Sequence, residues 1–390
     1  MASQDYEVVV VGGGPVGAAA ALALAREGFR VALVERQAAA PAFDPADYDL
    51  RMYAISAQSQ QFLQQLGAWA GIAAARACAY RGMRVWQRGP EHALCFDAAE
   101  AGRAELGWIV EHSLIVQALR ERLDGVDLIA GATVATVRFE AGGAALHLAD
   151  GRRLQARLVL AADGADSQLR QMAGIESAGW SYAHRAIVCH VSTARPHQHI
   201  AWQRFLRSGP LAFLPLADGR SSIVWSAEPP LAAELLALDD AAFCARLAEA
   251  AEHALGEVVG TTRRIAFPLR LAHARDYVRA GLALVGDAAH VIHPMAGQGV
   301  NLGLADAQCL VCTLAAARTA GRDCWSLRTL QRYARERKAA NLEMQALTEA
   351  LYRGFRLPLP GLRAALGLGM EALNRAAPLK SWLAGRASRS

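Results

Sequence analysis

Short uninterrupted runs of apolar residues open the chain. Valines fill residues 8–11, a stretch rich in alanine and leucine covers 18–26, and a second short run covers 31–34. Short apolar runs are typical of buried parallel strands, and a longer apolar stretch between two of them is typical of the helix that connects them. The pattern therefore predicts a strand, a helix and a second strand within residues 5–40.

The turn between the first strand and the helix carries the first candidate chemistry. It reads Gly-Gly-Gly-Pro-Val-Gly over residues 12–17. In such a turn Gly12 permits a sharp change of direction, Gly14 lets a pyrophosphate approach the backbone, and Gly17 lets the helix pack closely on the strand. The helix N-terminus, at Pro15 and Val16, then faces the phosphates. The turn predicts a dinucleotide site; a glycine-rich turn without a ligand is the alternative.

Glu35 supports the dinucleotide interpretation. It closes the second strand, about 20 residues beyond the turn, where an acidic residue can accept a hydrogen bond from a ribose hydroxyl. A later buried strand, at residues 158–162, ends in Asp163 and Gly164. The nucleotide-binding unit therefore resumes in the middle of the chain.

A third unit of the same kind follows near residue 286. The apolar run 283–285 ends in Gly286 and Asp287, and an Asp at a strand end can accept a ribitol or ribose hydroxyl. Residues 294–300 hold a proline and two glycines, so we expect them to be non-helical, with a helix starting near Gly299. Their free amides would stabilise negative charge on a reduced flavin. The three units in this order indicate FAD; an ordinary strand-loop-helix corner is the alternative for the last one.

A different pattern, alternation of polar and apolar residues, covers 81–97 and 186–228. Trp86, Trp202 and Trp225 lie in these segments, and the alternation is typical of antiparallel strands with one packed face. The sequence thus predicts an α/β fold with α+β insertions, in which a Rossmann-like FAD-binding domain is interleaved with an antiparallel-sheet substrate domain. The expected FAD-binding domain covers 1–80, 98–180 and 270–345, the sheet domain covers 81–97 and 181–269, and a helical tail covers 346–390.

Composition narrows the function classes. The chain of 390 residues carries 41 basic and 36 acidic residues and no continuous basic run, so nucleic-acid binding is a poor default. Its seven cysteines form an odd set without a secretory leader, which predicts reduced thiols in a cytoplasmic protein. Cys309 and Cys312 have the spacing of a metal or redox pair but lack a second pair, so we expect no metal site there.

The motifs resemble those of the class A flavoprotein aromatic hydroxylases, whose fold is like that of p-hydroxybenzoate hydroxylase. The shared marks are the turn at 12–17, the Asp163-Gly164 pair, and Gly286-Asp287 with the loop that follows. More narrowly, the chain is similar to the ubiquinone-biosynthesis hydroxylases in the segments 49–56, 201–205, 209–216, 223–226 and 290–301. The tracts 97–100 and 171–175 favour the enzymes that act on the late demethoxy-quinol intermediate.

The resemblance implies a reaction and a set of residues. NAD(P)H or another donor reduces FAD, O2 adds to it as a flavin C4a-hydroperoxide, and oxygen passes to the ring of a polyprenylated phenol or quinol. No separate NAD(P)H domain is apparent. The implied cofactor-binding residues are Gly12, Gly14, Pro15, Val16, Gly17, Glu35, Arg36, Arg51, His112, Val134, Asp163, Gly286, Asp287, Pro294, Gly299, Val300 and Asn301. The implied flavin-ring loop comprises Pro294, Gly297, Gln298 and Gly299, and the expected substrate wall comprises Phe213, Leu214, Pro215 and Trp225.

Two of these assignments leave alternatives. Arg51 either binds flavin phosphates or ring, or is simply solvated. His112 stands where the family usually has Asn, and it either contacts the flavin or merely packs there. No acid-base pair has diagnostic spacing, so no catalytic base is assigned, and His290 and His293 are interpreted as structural.

The tail suggests partners for the protein. From residue 350 onward it carries seven basic residues against the single acid Glu371, with leucines between them. Such a segment would lie on an anionic membrane, dock a quinone-biosynthesis complex, or pack on the FAD domain. We expect a cytoplasmic protein, with a peripheral position on the inner membrane face and a homo-oligomer as open alternatives. The rival functions are a flavin hydroxylase of a soluble aromatic compound and a flavin-binding scaffold subunit.

Overall fold

The computed structural model describes residues 4–140, 142–292 and 297–356. In chain order the strands are β1 (Gln4–Val11), β2 (Val31–Glu35), β3 (Met52–Ile55), β4 (Cys78–Tyr80), β5 (Gly82–Trp86), β6 (Leu94–Asp97), β7 (Gly107–Glu111), β8 (Val126–Ala130), β9 (Val134–Glu140), β10 (Gly143–Leu148), β11 (Arg153–Ala161), β12 (Ser177–Thr193), β13 (Ile200–Leu206), β14 (Gly209–Pro215), β15 (Ser221–Ala227), β16 (Val258–Thr261), β17 (Ile265–Ala274), β18 (Val278–Arg279), β19 (Leu282–Leu284) and β20 (His290–Val291). The helices are α1 (Pro15–Arg26), α2 (Ala57–Gln65), α3 (Trp69–Ala75), α4 (His112–Arg120), α5 (Gln168–Met172), α6 (Pro229–Ala237), α7 (Asp240–Ala250), α8 (Gln298–Thr319) and α9 (Leu327–Arg356).

The first sheet has the order β18-β19-β11-β1-β2-β8, with the β9-β10 hairpin attached to β11. Strands β1, β2, β8, β11 and β19 pair in parallel. Every residue of β2 is buried, which is why its sequence is an unbroken apolar run rather than an alternating one. The predicted first strand, helix and second strand are confirmed as β1, α1 and β2.

The second sheet has the order β20-β17-β12-β15-β14-β13-β5-β6, with β16 attached to β12. Its pairs are antiparallel apart from β13 with β5. Helices α6 and α7 cover one of its faces through a core that includes Phe243 and Leu247. We call this sheet the substrate sheet. The predicted mixed α/β fold with an interleaved antiparallel sheet is confirmed.

The expected domain limits fall inside continuous strands. Residue 181 lies within β12 and residue 270 within β17, and these two strands pair along most of their length. The short strand β20, in the segment assigned to the FAD domain, pairs with β17 of the substrate sheet. The expected limits at 181 and 270 therefore fall within strands of the substrate sheet, and in the described ranges the two large sheets have no strand in common.

Helix α8 is the one helix of the described ranges that is long and apolar enough to cross a membrane, with a mean hydropathy of 1.4. However, 67% of the apolar 18-residue segment of this helix is buried inside the fold. Gly303 of α8 lies so close to Val16 of α1 that a Cβ there would come within 2.6 Å of the Val16 side chain. This burial identifies α8 as a core helix of the nucleotide-binding half.

Candidate active site

A cavity of about 1580 Å³ lies between the two large sheets. One end is lined by the turn at residues 12–17 and the N-terminus of α8, and the other end by side chains of the substrate sheet. Ligand pockets usually occupy about 300–1,000 Å³. The cavity therefore has room for a dinucleotide and a second molecule.

The glycine turn is shaped by close backbone contacts. Gly12 has a φ of 106°, and a Cβ there would lie 2.3 Å from the carbonyl oxygen of Ala162. A Cβ on Gly17 would lie 1.9 Å from the Gly12 oxygen. Gly14, by contrast, has no heavy atom within 4 Å of its would-be Cβ and lines the cavity. Gly12 and Gly17 thus make the turn possible, while Gly14 leaves open space above it.

Pro15 and Val16 begin α1 and line the same end of the cavity, as do Arg36 and Val134. Glu35 also lines it, and its carboxylate accepts hydrogen bonds from the amides of Gly13 (2.5 Å) and Gln37 (2.8 Å). Each carboxylate oxygen has a further lone pair for a ligand hydroxyl. Glu35 therefore both shapes the turn and faces the space beside it.

Arg120, at the end of α4, is a cavity residue that the sequence interpretation missed. Its Nη2 atom lies 3.2 Å from the position that a Cβ of Gly13 would take, and its Nε is buried with no hydrogen-bond partner among the described residues. A buried guanidinium nitrogen without a partner is unusual. Beside a pyrophosphate turn it is placed to donate to an anion.

Asp163 and Asp287 both line the cavity at strand ends, as predicted. The Oδ2 of Asp163 accepts the Leu169 amide at 3.1 Å, whereas its Oδ1 is buried and has no partner in the described ranges. Burial raises the pKa of Asp287, although His290, Arg51 and Arg270 oppose the shift. Both carboxylates thus face the cavity, and that of Asp163 is oriented by the Leu169 amide.

Gly286 does not line the cavity, so its prediction as a cofactor contact is corrected. Its φ of 59° turns the chain so that Asp287 faces inward. Its amide instead donates to the carboxylate of Asp306 at 3.1 Å. Gly286 acts through the conformation that it gives to the turn.

Asp306 is the centre of a buried polar network behind this turn, and the sequence interpretation missed it. It is fully buried and accepts hydrogen bonds from His290 (2.5 Å), Arg337 (2.7 Å) and Asn341 (3.1 Å). Burial alone would raise its pKa, but His290 and Arg337 hold the pKa below the ordinary value. The network ties α8, α9 and the 286–290 turn together. His290 is therefore a structural partner, as predicted.

The N-terminus of α8 forms the next part of the wall. Gly297, Gln298, Gly299, Val300 and Asn301 all line the cavity. The helix begins at Gln298, which confirms the predicted helix start near Gly299, whereas the prediction that residues 298–300 are non-helical is wrong. The first amides of a helix nevertheless lack acceptors within it, and the positive end of the helix dipole lies here. Pro294 and His293 lie outside the described residues.

Asn301 uses its side chain to hold this helix end in place. Its Oδ1 accepts the Ser56 amide at 3.0 Å, and its Nδ2 donates to the Ala54 and Gly297 oxygens at 2.8 and 3.3 Å. The amide group of Asn301 thus clamps α8 to the end of β3. Asn301 also lines the cavity, and its contact with a cofactor stays a prediction.

Arg51, Tyr53 and His112 form a cluster beside that clamp. The Arg51 guanidinium lies 5.7 Å from the Tyr53 ring centroid, and the Tyr53 hydroxyl is 3.0 Å from Nδ1 of His112. Burial raises the pKa of Tyr53 to about 12, whereas burial, assisted by Arg51, lowers the pKa of His112 to about 4. Both groups are neutral near pH 7.

The hydrogen bond between Tyr53 and His112 fits either tautomer of the neutral ring. We assign the tautomer in which the Tyr53 hydroxyl donates to Nδ1, because this hydroxyl has no other hydrogen-bond partner in the described part of the chain. The remaining proton of the neutral ring is then on Nε2. Since His112 lines the cavity, this tautomer would present an N–H donor there, and a contact with the flavin stays a prediction.

The substrate sheet corrects three of the predicted wall residues. Leu214 lines the cavity. Phe213 and Trp225 are both only 2% exposed and pack in the core under α6 and α7, and Pro215 shares the Phe213 face because side chains alternate along a strand. The cavity wall is formed instead by their neighbours, including Ala212, Ser222, Val224 and Ser226.

These features fit FAD. The glycine turn leaves space where a pyrophosphate would lie, Glu35 is at the end of the second strand, and unpaired buried atoms of Asp163 and Arg120 face the same cavity. An acceptor and a cation in these places match a nucleotide's hydroxyls and phosphates. No group of three or more His, Cys, Asp or Glu residues in the described ranges could hold a metal ion.

Comparisons with known proteins agree with this geometry. Residues 5–346 match the family model described as FAD binding domain. The 3-demethoxyubiquinol 3-hydroxylase of Escherichia coli (strain K12) is 41% identical over 384 residues, covering 97% of each chain. The ubiquinone biosynthesis monooxygenase COQ6 of Xenopus tropicalis is 34% identical over 437 residues, covering 98% of this chain and 93% of that protein.

A solved structure gives the same fold. The p-nitrophenol 4-monooxygenase PnpA from Pseudomonas putida DLL-E4 superposes with a TM-score of 0.80 at 20% identity, covering 99% of both chains. At this identity the likeness shows the fold alone, whereas the two sequence relatives extend over nearly the whole chain. The chain belongs to the FAD-dependent hydroxylase family of ubiquinone biosynthesis.

Proposed function

We propose that this protein is an FAD-dependent monooxygenase that hydroxylates the ring of a polyprenylated demethoxyubiquinol, with O2 as cosubstrate and NAD(P)H as electron donor. The observation that carries the proposal is the single cavity that connects the dinucleotide turn with a largely apolar sheet face. The name of the relative from Escherichia coli supports the choice of ring intermediate.

In this proposal the residues at the glycine-turn end of the cavity bind the hydroxyls and the phosphates of the cofactor. Glu35 and Asp163 accept hydroxyls of the ribose and ribitol, and the turn at 12–17 with Arg120 binds the pyrophosphate. Arg51 and Asp287 line the same cavity. FAD, when bound, supplies the redox and oxygen-activating chemistry.

The residues around Gly299 and His112 would act on the flavin ring. Amides of the first turn of α8, backed by the helix dipole, stabilise negative charge on the reduced ring. The Nε2–H of His112 adds a neutral donor whose orientation is fixed by Tyr53. These groups hold charge and orientation; none of them is assigned as a base.

The substrate sheet would keep the reaction dry and orient an apolar substrate. Its cavity side is made mostly of aliphatic residues, and such a lining excludes water that would otherwise intercept a reactive intermediate. Arg270, a cation of this sheet that lines the cavity, is paired with Asp166 at 2.7 Å. A paired arginine does not offer the carboxylate clamp that a soluble aromatic acid would need, which favours the prenylated substrate over the soluble one.

We also propose a peripheral membrane position for the protein. The substrate class is insoluble in water, so it must be collected from a bilayer. The first part of the tail, up to residue 356, continues α9 and docks on the substrate sheet, where Tyr182 donates to Glu349 at 2.7 Å. Residues 357–390, with most of the basic charge, lie outside the described ranges.

A complementation experiment tests the proposed function. The chain is expressed in bacterial strains that each lack one ring hydroxylase, and quinones are identified by mass spectrometry. Restored ubiquinone in the strain that accumulates the demethoxy intermediate is the expected result. Restoration only in another strain would move the hydroxylation to a different ring position. No restoration by a folded, FAD-loaded protein would favour the soluble-substrate or scaffold alternative.

A further inference from the structure

One polar side chain, that of Gln203, lies among aliphatic side chains in the middle of the cavity face of the substrate sheet. Backbone pairing places one row of side chains straight across the sheet, and we call this the middle row. Its members, in order, are Val85, Gln203, Ala212, Val224, Val188 and Ile265. All six line the cavity. Gln203 is therefore an amide within an otherwise aliphatic row.

Gln203 is not used to hold the protein together. Its side chain is half-buried and makes no hydrogen bond with any residue of the described ranges, although its backbone pairs with Ala212 of β14 and Val85 of β5. The Gln203 amide therefore faces a mostly apolar cavity with its donor and acceptor groups free for a ligand. Such a group is expected where a ligand supplies the missing partner.

The neighbourhood of Gln203 also provides space. Ala212, directly across on β14, and Ala201, two residues before it on β13, are both small and face the cavity. A flat ring can therefore approach the sheet beside the amide, while Val85 and Val224 limit its lateral movement. The amide can both donate and accept, so it can pair with a phenol hydroxyl or with an ether or quinone oxygen.

We propose that Gln203 orients the substrate ring through a hydrogen bond to one ring oxygen. This inference rests on the proposed function, because the prenyl chain of that substrate is hydrocarbon and its oxygens are on the ring. Fixing one oxygen against a rigid sheet fixes the rotation of the ring in the cavity. Gln203 thereby helps to decide which ring carbon faces the flavin, and so contributes to the position of hydroxylation.

The test compares the affinities of protein variants for a set of ring analogues. The FAD-loaded full chain is titrated with short-chain demethoxyubiquinol, and with analogues in which one ring oxygen at a time is replaced by hydrogen. Binding is followed through the visible absorbance of the flavin. Gln203→Leu keeps the size of the side chain and removes its polarity, whereas Val224→Ala changes only apolar packing in the same row. FAD content and thermal unfolding are measured for each variant.

We expect Gln203→Leu to weaken binding of the parent quinol by about 5- to 10-fold. It should leave unchanged the binding of the one analogue that lacks the contacted oxygen. Val224→Ala should weaken the parent and all analogues by the same factor. The position of hydroxylation should also become less selective in Gln203→Leu.

The opposite outcomes are distinguishable. Equal weakening of every analogue by Gln203→Leu, no weakening at all, or loss of FAD from this variant would overturn the inference while the wild type still hydroxylates the quinol. A wild-type protein that neither binds nor hydroxylates the quinol would overturn the proposed function, and the inference with it.

Discussion

The nucleotide-side wall of the cavity is made largely of backbone, whereas the opposite wall is made of every second side chain of a sheet. In the first wall Gly12 and Gly17 occupy positions where any Cβ would overlap a carbonyl oxygen. In the second, adjacent residues such as Phe213 and Leu214 face opposite sides. The shape of a wall made of backbone depends on having glycine at fixed positions. The shape of a wall made by a sheet depends on which set of alternate side chains faces the cavity.

The backbone wall should be the more fragile of the two. In Gly17→Ala the new Cβ would meet the Gly12 oxygen at 1.9 Å, and neither partner is a flexible side chain. We expect a loss of at least about 3 kcal/mol in the free energy of unfolding. The measurement is chemical unfolding of the purified protein, with the yield of folded protein as a second readout.

Gly14→Ala is the matched control for this substitution. Its φ of −68° is accessible to any residue, and its Cβ would meet no heavy atom within 4 Å. The variant should fold like the wild type but bind FAD more weakly, because the methyl group enters the space above the turn. Wild-type stability in Gly17→Ala would show that the turn can relax, and would remove the contrast between the walls.

The two faces of the substrate sheet can be separated by adjacent substitutions. Phe213→Ala removes a side chain buried under α6 and α7 and should lower the free energy of unfolding by about 3 kcal/mol, with ligand affinity unchanged. Leu214→Ala removes a half-buried cavity residue; it should lower stability by about 1 kcal/mol or less, but weaken quinol binding. A loss of quinol affinity in Phe213→Ala, with Leu214→Ala unaffected, would reverse the assignment of the faces.

The difference between the walls also explains what could be predicted from the sequence. The turn at 12–17, Glu35, Asp163 and Asp287 were found because each follows directly from a strand end. The substrate sheet was recognised, but its inward face was not, since neither face of β14 or β15 carries a charged residue. The side chains on both faces of β14 and β15 are mostly apolar or small.

Contacts between residues far apart in sequence were the second feature that the sequence did not reveal. Asp306, Arg337 and Asn341 form one buried network, yet in sequence they look like ordinary polar residues of two helices. Arg120 was missed for the same reason, because it ends a helix that is far in sequence from the turn that it faces. An acidic residue inside the apolar run of α8 was an available signal, because a buried carboxylate requires partners.

His112 gives the smallest expected effect, and its side chain pairs with Tyr53 of β3 rather than with the substrate sheet. Burial and Arg51 lower its pKa to about 4, with Asp49 opposing, so the unfolded chain binds a proton between about pH 6.5 and 4 that the folded chain does not. Stability from this group is therefore complete above pH 6.5 and is lost as the pH falls towards 4. Allowing for its partial exposure, the loss is about 2 kcal/mol.

His112→Asn isolates this contribution because Asn does not titrate. At pH 7 the variant should be less stable by about 1 kcal/mol, since the hydrogen bond from Tyr53 to an imidazole nitrogen is lost. As the pH falls from 7 to 4.5 the wild type should lose more stability than the variant, so the two curves should converge and then cross. Unfolding in denaturant at a series of pH values, with FAD in excess, measures both curves. Curves that stay parallel over this range would mean that His112 keeps an ordinary proton affinity in the folded protein, and the neutral Nε2–H donor in the cavity would have to be abandoned.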